Sequence, residues 1–511
     1  MWKYVARRTA LALGTLFVLS LIVYLLVDIS IDPLDDLRAN PAPNRPQLIA
    51  SRVAMLELDK SWLVRYWHWF TSFITGDMGT AWRSGNTVSS LMGTAVATSF
   101  SLVIAATVIA LVLGSCVGIV SALRQYTGFD YSITFVSFIL YSLPVFWVAV
   151  LLKQFLAIGL NNFLADPGLN VVGVLIFAAV FGLFWVGAIG GSGRRRAVVF
   201  LTATAVTFGT IAFIVTTGWL DHPRIGYPGM IVFGLGMTYG ITVLMAGRGN
   251  RKAILSAFTT WAVGIGVFYG VQWLFYYVNA GWPLIFLLLL SAIGVGCLIG
   301  WLFGGDDRAV SMRVAAVVAF LMGAMTFADR LLQAYPSYYN NTFIDGRVIS
   351  TIGEGNINLI VNNSDFWLLQ MDRFTHLLLP TLALVLISFA SYTRYQRGAM
   401  LEVMNQDYIR TARAKGLPER VVITRHALRN ALMPLAAIVP VDLVTLVGGA
   451  IMTETIFSWA GMGQLFITSL HQAEIDPIMA YVMITGAFTL IMALLADFFY
   501  ALLDPRIRVN A

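Results

Sequence analysis

Apolar residues lie along this chain in runs of about twenty, separated by polar or basic segments. A run of that length matches an α-helix that crosses a hydrocarbon layer roughly 30 Å thick. The pattern therefore predicts an all-α integral membrane protein. Its twelve candidate spans are 9–27, 96–120, 132–157, 170–190, 197–219, 229–247, 253–278, 283–303, 314–333, 374–393, 432–453 and 478–500.

The charges between the runs predict how the helices cross the membrane. If residue 1 lies in the cytoplasm, every short inward segment carries a basic residue, as Arg194–Arg196 and Arg251–Lys252 illustrate. The short outward segments 220–228, 279–282 and 454–477 contain a single basic residue, Arg224, but hold Asp221, Glu454, Glu474 and Asp476. Lys and Arg collect in cytoplasmic loops. We therefore expect both termini to be cytoplasmic.

Composition and motifs argue against several classes of function. Hydrophobic residues make up 58% of the chain and charged residues 12%, which is more apolar surface than a soluble domain can bury. The basic inward segments account for the net charge of +7, so no nucleic acid is expected as a partner. The sequence contains no Gly-Lys-Ser/Thr phosphate-binding loop, no H-E-x-x-H pair and no G-x-S-x-G elbow. We therefore expect this chain not to be an enzyme and to hold no metal or cofactor of its own.

Two acidic residues near the last spans are candidates for a translocation path. Asp442 lies inside the run 432–453, and Glu454 follows the end of that run. An ionisable side chain in a bilayer is costly and usually functional. We expect Asp442 to face either a cavity or a partner helix rather than lipid.

The longest inward segment, 394–431, concentrates basic residues in a pattern of helix, break and helix. Gly416 is placed to end the first helix in a left-handed conformation, and Pro418 is placed to begin the second. An amphipathic helix with such an elbow suits a groove on another protein. The alternative is a basic loop that lies on anionic lipid headgroups. Ala412 and Ala414 favour protein contact, because small side chains allow close approach.

This segment resembles the cytoplasmic loop of permease subunits from bacterial ABC importers, in the form found in the dipeptide, oligopeptide and nickel branch. The stretch "RTARAKGL" at 410–417 is followed by "RHALRNAL" at 425–432. Further agreement comes from "GDMGTAWRSGNTV" at 76–88, "LYSLPVFWVAVLL" at 140–152, "GGAIMTETIFSWAGMG" at 448–463 and "YALLDPRIR" at 500–508. Arg410 and Thr411 stand where the general loop has Glu and Ala, a difference typical of the peptide branch. The resemblance covers roughly 1–160 and 334–508.

The resemblance implies a type I importer core of about six spans, divided between 1–160, with an external loop at 28–95, and 334–508. Residues 165–333 have no counterpart in the usual six-helix permease and are expected to form an inserted membrane domain of about six helices, peripheral to the pore. We call this segment the insert. Its function is not predicted by the sequence.

The resemblance also implies partners and a coupling element. The expected partners are a second homologous permease, two cytoplasmic ATPases that bind ATP and Mg²⁺, an extracytoplasmic peptide-binding protein and membrane lipid. This chain itself is expected in the bacterial inner membrane. The implied coupling residues, with Ala412 against an ATPase, are Tyr408, Arg410, Thr411, Ala412, Ala414, Lys415, Gly416 and Leu417. The alternatives are a nickel importer of the same branch, a stand-alone secondary transporter and an intramembrane enzyme.

Overall fold

A computed structural model of the chain describes residues 2–38, 43–168, 170–362 and 365–503. These residues fold mainly into α-helices. Twelve helical segments are long and apolar enough to cross a membrane, and each overlaps one of the predicted runs. The prediction of an all-α protein with twelve spans is confirmed. The tail with Arg506 and Arg508, which includes most of the motif at 500–508, lies outside the described residues.

The first part of the expected core contains two long helices and an interrupted third span. The interruption falls at Pro144, because proline lacks the N–H that a continuous helix needs and Leu143 before it is extended. A π-helical turn at Leu152–Ile158 joins the last two pieces of this span. The helices are α1 (Trp2–Ser30), α2 (Asp35–Arg38), α3 (Arg45–Met55), α4 (Trp62–Ile74), α5 (Val88–Leu123), α6 (Gly128–Ser142), α7 (Val145–Leu151) and α8 (Gly159–Ala165).

The insert contributes six long helices, namely α9 (Val171–Ile189), α10 (Gly193–Thr216), α11 (Gly226–Met245), α12 (Arg251–Tyr277), α13 (Trp282–Phe303) and α14 (Arg308–Gln333). α9 and α10 form a hairpin that packs on α6. Gly128 of α6 and Gly187 of α9 approach so closely that a Cβ on Gly128 would touch the Gly187 carbonyl oxygen. α11 to α14 pack on one another, and α14 contacts the core. The insert therefore docks as two helical groups.

The last part of the chain completes the core. Its helices are α15 (Tyr335–Tyr339), α16 (Ile357–Asn362), α17 (Phe366–Met404), α18 (Asp407–Ala414), α19 (Glu419–Val421), α20 (Leu428–Ala431), α21 (Met433–Phe457), α22 (Met462–Gln472) and α23 (Ile475–Leu503). A π-helical turn, Val422–Ala427, lies between α19 and α20. The domain boundaries at 160–165 and 333–334 coincide with helix ends, but the division into functional domains stays a prediction.

α5 and α17 form the most extensive helix pair of the core. Gly114 and Gly118 of α5 lie against Tyr392 and Gln396 of α17, leaving no room for a Cβ. Residue numbers rise together along the contact, so the two helices are parallel. Parallel helices require an odd number of crossings between them, and seven candidate spans separate α5 from α17. Both helices finish near the segment 405–431, and we call this side of the molecule the coupling end.

Candidate coupling site

The segment after α17 has the predicted helix, break and helix. α18 ends at Ala414, and the chain then turns through Gly416, whose φ is +73°. The Leu417 N–H donates to the Ala412 carbonyl over 3.4 Å, and the Gly416 N–H donates to the Arg413 carbonyl over 2.9 Å. These two bonds form a Schellman motif, in which glycine supplies the left-handed residue. The predicted conformation of Gly416 is confirmed.

Pro418 lies immediately before α19, where its carbonyl accepts the first hydrogen bonds of the new helix. Arg413 and Glu419 bracket the elbow with two side-chain hydrogen bonds of 2.7 and 3.2 Å. The Asn430 side chain donates to the Tyr408 hydroxyl over 2.8 Å and ties α18 to the end of the segment. The elbow is therefore held by local contacts within this chain.

α18 has two different faces. Ile409 and Ala412 are buried in an apolar cluster with Met400 of α17, Val422 and Ala427. The other face carries the exposed side chains of the predicted coupling set, which are Tyr408, Arg410, Thr411, Ala414, Lys415 and Leu417. This second face, which we call the exposed coupling face, is available to a partner.

The position of Ala412 differs from the expectation that it contacts an ATPase. Only 6% of its surface is exposed, because it packs against this chain's own helices. Ile409 lies three residues earlier on the same helical face, and two apolar residues at this spacing predict a buried face. Ala412 is thus a packing residue of the coupling segment, whereas Ala414 offers the small side chain on the exposed coupling face.

A buried ion pair that sequence analysis missed joins the third span to α17. Arg397 donates to both carboxylate oxygens of Asp130, over 2.7 and 2.9 Å. Ser121 of α5 and the Tyr126 N–H donate to the same carboxylate. The hydrogen bonds from Arg397 are the largest cause that lowers the pKa of Asp130 below its usual value. Asp130 therefore connects three helices at the coupling end.

Asp442 lies in α21 and is partly buried. Its carboxylate is close to the hydroxyl of Tyr392, a fully buried residue of α17. This position within the helix packing agrees with the expectation that Asp442 avoids lipid. Its role in a translocation path stays a prediction.

Glu454, the other candidate path residue, is fully buried near the end opposite the coupling end. One carboxylate oxygen accepts from the Ser99 hydroxyl over 2.5 Å, and the other accepts from the N–H groups of Gly463 and Gln464 over 2.8 and 3.1 Å. A Cβ on Gly461 or Gly463 would collide with this carboxylate. Glu454 thus anchors the start of α22 against α5, and this explains Gly461 and Gly463 in the motif at 448–463. Its role in the path also stays a prediction.

Within residues 2–38, 43–168, 170–362 and 365–503, no group of three or more His, Cys, Asp or Glu residues is placed to hold a metal ion.

Comparison with known families identifies the chain's relatives. The family of binding-protein-dependent transport system inner membrane components matches residues 197–509, which is more than half of the chain. This chain belongs to that family. It is a multi-pass inner membrane protein and, as a member of this family, a component of a binding-protein-dependent transport system. The match begins inside α10 and so takes in most of the insert.

Individual relatives are peptide permeases. The oligopeptide transport system permease protein OppB of Mycobacterium tuberculosis is 45% identical over 139 residues, which are 27% of this chain and 43% of that protein. AppB of Bacillus subtilis, also an oligopeptide permease, is 45% identical over 137 residues, with the same two shares. The dipeptide permease DppB of Escherichia coli is 34% identical over 213 residues, 40% of this chain and 61% of DppB. The chain thus spans less than half the length of the first two relatives.

Proposed function

We propose that this chain is one of two membrane-spanning subunits of an ABC importer for di- or oligopeptides. The observation that carries the proposal is the coupling segment, in which a short helix with an exposed polar face ends in a Gly416 elbow beside the parallel α5–α17 pair. Membership of the binding-protein-dependent family and the similarity to peptide permeases support it.

The proposed partners divide the work. Two cytoplasmic ATPases would bind ATP and Mg²⁺, a homologous permease would complete the translocation path, and an extracytoplasmic binding protein would deliver the peptide. This chain's exposed coupling face would lie in an ATPase groove. The buried Ile409 and Ala412 fasten that helix to the end of α17. Motion of the helix would therefore pass to α17.

The ion pair extends this connection to the third span, because Arg397 of α17 holds Asp130 at the start of α6. Movement of α17 would thus carry α6 with it and change which side of the membrane has access to the path. The coupling helix shifts this equilibrium only if it contacts the ATPase differently in the two states. Asp442 and Glu454 remain the proposed path residues.

Co-purification and uptake test the proposal. We expect the tagged chain to retain an ATPase and a second permease, and the reconstituted complex to take up labelled peptide in an ATP-dependent manner. Uptake of nickel but not peptide would reassign the substrate within the branch. Uptake driven by an ion gradient without ATP would support a secondary transporter instead.

Cysteine labelling tests the proposed cytoplasmic location of both termini. We expect single cysteines at 195 and 251 to be inaccessible to an impermeant thiol reagent on intact cells, whereas a cysteine at 221 is labelled. All three positions are exposed, so burial cannot protect them. The experiment starts from a chain in which Cys116 and Cys297 are replaced. Labelling at 195 on intact cells would contradict the orientation, and opened membranes provide the control.

Deletion of the insert tests its peripheral position. The Tyr339 hydroxyl donates to the Leu164 carbonyl over 3.4 Å, so the two ends of the insert lie close together. We expect a chain that joins 164 to 335 through a short linker to assemble with its partners and to hydrolyse ATP in response to the binding protein. Six candidate spans are removed, so α17 keeps its direction. Failure to assemble, in a variant that still inserts, would place the insert in the subunit interface.

A further inference from the structure

A second feature at the coupling end is a basin where the insert meets the coupling segment. The basin has a volume of about 680 Å³ and is broadly open to solvent. The loop between α11 and α12 forms one wall, Asp307 lies on the α13–α14 side, and Arg420 of α19 lies over the α11–α12 loop. The insert and the core therefore both contribute side chains to one basin.

Cationic groups dominate the lining. Among the described residues, Arg251, Lys252 and Arg420 line the basin together with the carboxylate of Asp307. Asp307 accepts a hydrogen bond of 3.0 Å from the Asn250 side chain. The exposed side chain of Arg251 has no hydrogen bond or ion pair with the described residues. The excess of positive charge favours an anion.

Arg420 is held in place at the edge of the basin. Its guanidinium donates to the Leu244 carbonyl at the end of α11, over 2.5 Å. Gly247, with φ at +84°, lies directly beneath the same guanidinium, so any side chain there would collide with Arg420. The contact leaves further N–H groups of the guanidinium for a ligand, since arginine carries five donors.

The surroundings of the basin distinguish between sources of the anion. α11 ends at Met245 and α12 begins at Arg251, so the basin lies at the boundary where two spans leave the membrane. The side chains of Leu244 and Met245 are 70% and 39% exposed beside it. A free phosphate ion would make no use of this apolar edge, whereas the acyl chains of a lipid would cover it.

We propose that this basin binds the phosphate group of an anionic phospholipid, with Arg251 and Arg420 as its principal ligands. The bound phosphate would link the insert to the coupling segment, because Arg420 belongs to the latter. This regulatory consequence rests on the proposed function, but lipid binding does not. The insert would then make the coupling segment responsive to the lipid that surrounds it.

Lipid retention tests the site without any transport assay. The full-length chain is placed in nanodiscs of phosphatidylcholine with or without phosphatidylglycerol, extracted in mild detergent and examined by native mass spectrometry. We expect wild type to retain phosphatidylglycerol and the variant Arg251→Gln/Arg420→Gln to retain about thirtyfold less, a change that corresponds to about 2 kcal/mol for two basic residues near an anionic surface. Arg194→Gln/Arg195→Gln is the matched control, with the same loss of charge on another inward segment. Equal losses in both double variants would overturn the site.

Two further measurements test the position of Arg420 and the source of the phosphate group. Gly247→Val keeps the net charge but displaces Arg420, so it is expected to lower phosphatidylglycerol retention as well. Inorganic phosphate, added to the chain in phosphatidylcholine nanodiscs, is expected to leave its melting temperature unchanged. Stabilisation by phosphate equal to that by phosphatidylglycerol would overturn the lipid assignment.

ATP hydrolysis by the assembled complex measures the regulatory consequence. We expect binding-protein-stimulated hydrolysis to be higher with phosphatidylglycerol in wild type, and the lipid effect to disappear in Arg251→Gln/Arg420→Gln. A lipid effect of the same size in this variant would overturn the link to coupling. A chain that retains the lipid but binds no ATPase would instead contradict the proposed function and leave the lipid site supported.

Discussion

The variant Gly416→Glu is expected to insert into the membrane normally and to abolish peptide uptake. Its backbone must keep φ near +73° to close the elbow, and this left-handed conformation costs non-glycine residues about 1 kcal/mol. Apart from its two chain neighbours, no described residue has an atom within 4 Å of a Cβ at position 416, so the side chain would project away from the chain's own packing. The loss would therefore arise in the docking surface, not in the fold. ATPase retention, hydrolysis and uptake are measured at matched expression.

Gly193→Glu is the matched control for this prediction. Gly193 also lies on an inward segment with no atom within 4 Å of its Cβ position, but its φ is not positive. It should keep wild-type uptake. Gly416→Ala should lose only part of the activity, because it adds backbone strain without a bulky charge. Wild-type uptake by Gly416→Glu would contradict the coupling assignment.

The two alanines of α18 separate docking from packing. Ala414→Asp places a carboxylate on the exposed coupling face, so it should weaken ATPase retention while the melting temperature of the isolated chain is unchanged. Ala412→Asp places the same group in the apolar cluster, where a carboxylate without a partner is costly. It should lower the melting temperature of the isolated chain as well as uptake. Equal melting temperatures for the two variants would contradict the two-faced arrangement.

The alternative interpretation, in which the basic segment 408–430 contacts lipid headgroups, predicts different effects of mutations on uptake. If headgroup contact along 408–430 were its main role, Arg425→Gln and Arg429→Gln would impair uptake strongly. Both side chains are exposed, and neither belongs to the exposed coupling face or to the basin around Arg420. We expect both variants to retain more activity than Gly416→Glu.

Local chemistry explains which parts of this structure the sequence predicted. The spans follow from run length alone, and the elbow follows from the one residue type that enters a left-handed conformation freely. The burial of Ala412 could also have been predicted locally, because the apolar Ile409 lies three residues earlier on the same helical face. The small size of Ala412 suggested contact with a partner instead. These features depend on residues within a few positions of one another.

Contacts between distant residues could not be predicted in this way. Asp130 and Arg397 are 267 positions apart, and Ser99 and Glu454 are 355 apart. Each acidic residue looks like an ordinary loop or helix-end charge in its own segment. Only the parallel packing of α5 and α17 and the docking of α6 and α22 bring the partners together. Glu454 therefore makes an anchoring contact that its own segment does not predict, and its role in the path stays a prediction.

Replacement of Arg397 by Gln is expected to destabilise the isolated chain by about 3 kcal/mol, because it leaves a buried carboxylate without its cation. Asp130 is 2% exposed, and the hydrogen bonds from Ser121 and Tyr126 cannot neutralise its charge. The double variant Asp130→Asn/Arg397→Gln removes the charge together with its partner, so it should be more stable than Arg397→Gln. Melting temperatures of the purified chain in detergent measure both effects, and Arg425→Gln is a control for loss of an exposed arginine.

The pH dependence of this ion pair has a defined sign. The pKa of Asp130 is lowered in the folded chain, chiefly by the hydrogen bonds from Arg397. Its stabilising contribution is therefore complete above the unfolded-state pKa of about 3.9 and is lost as the pH falls through the lower folded-state pKa. The stability difference between wild type and Asp130→Asn should stay constant from pH 8 to about pH 5 and narrow only in stronger acid. If the difference already narrows between pH 8 and about pH 6, Asp130 is not the ionised partner of Arg397. The proposed link from α17 to the third span would then be wrong.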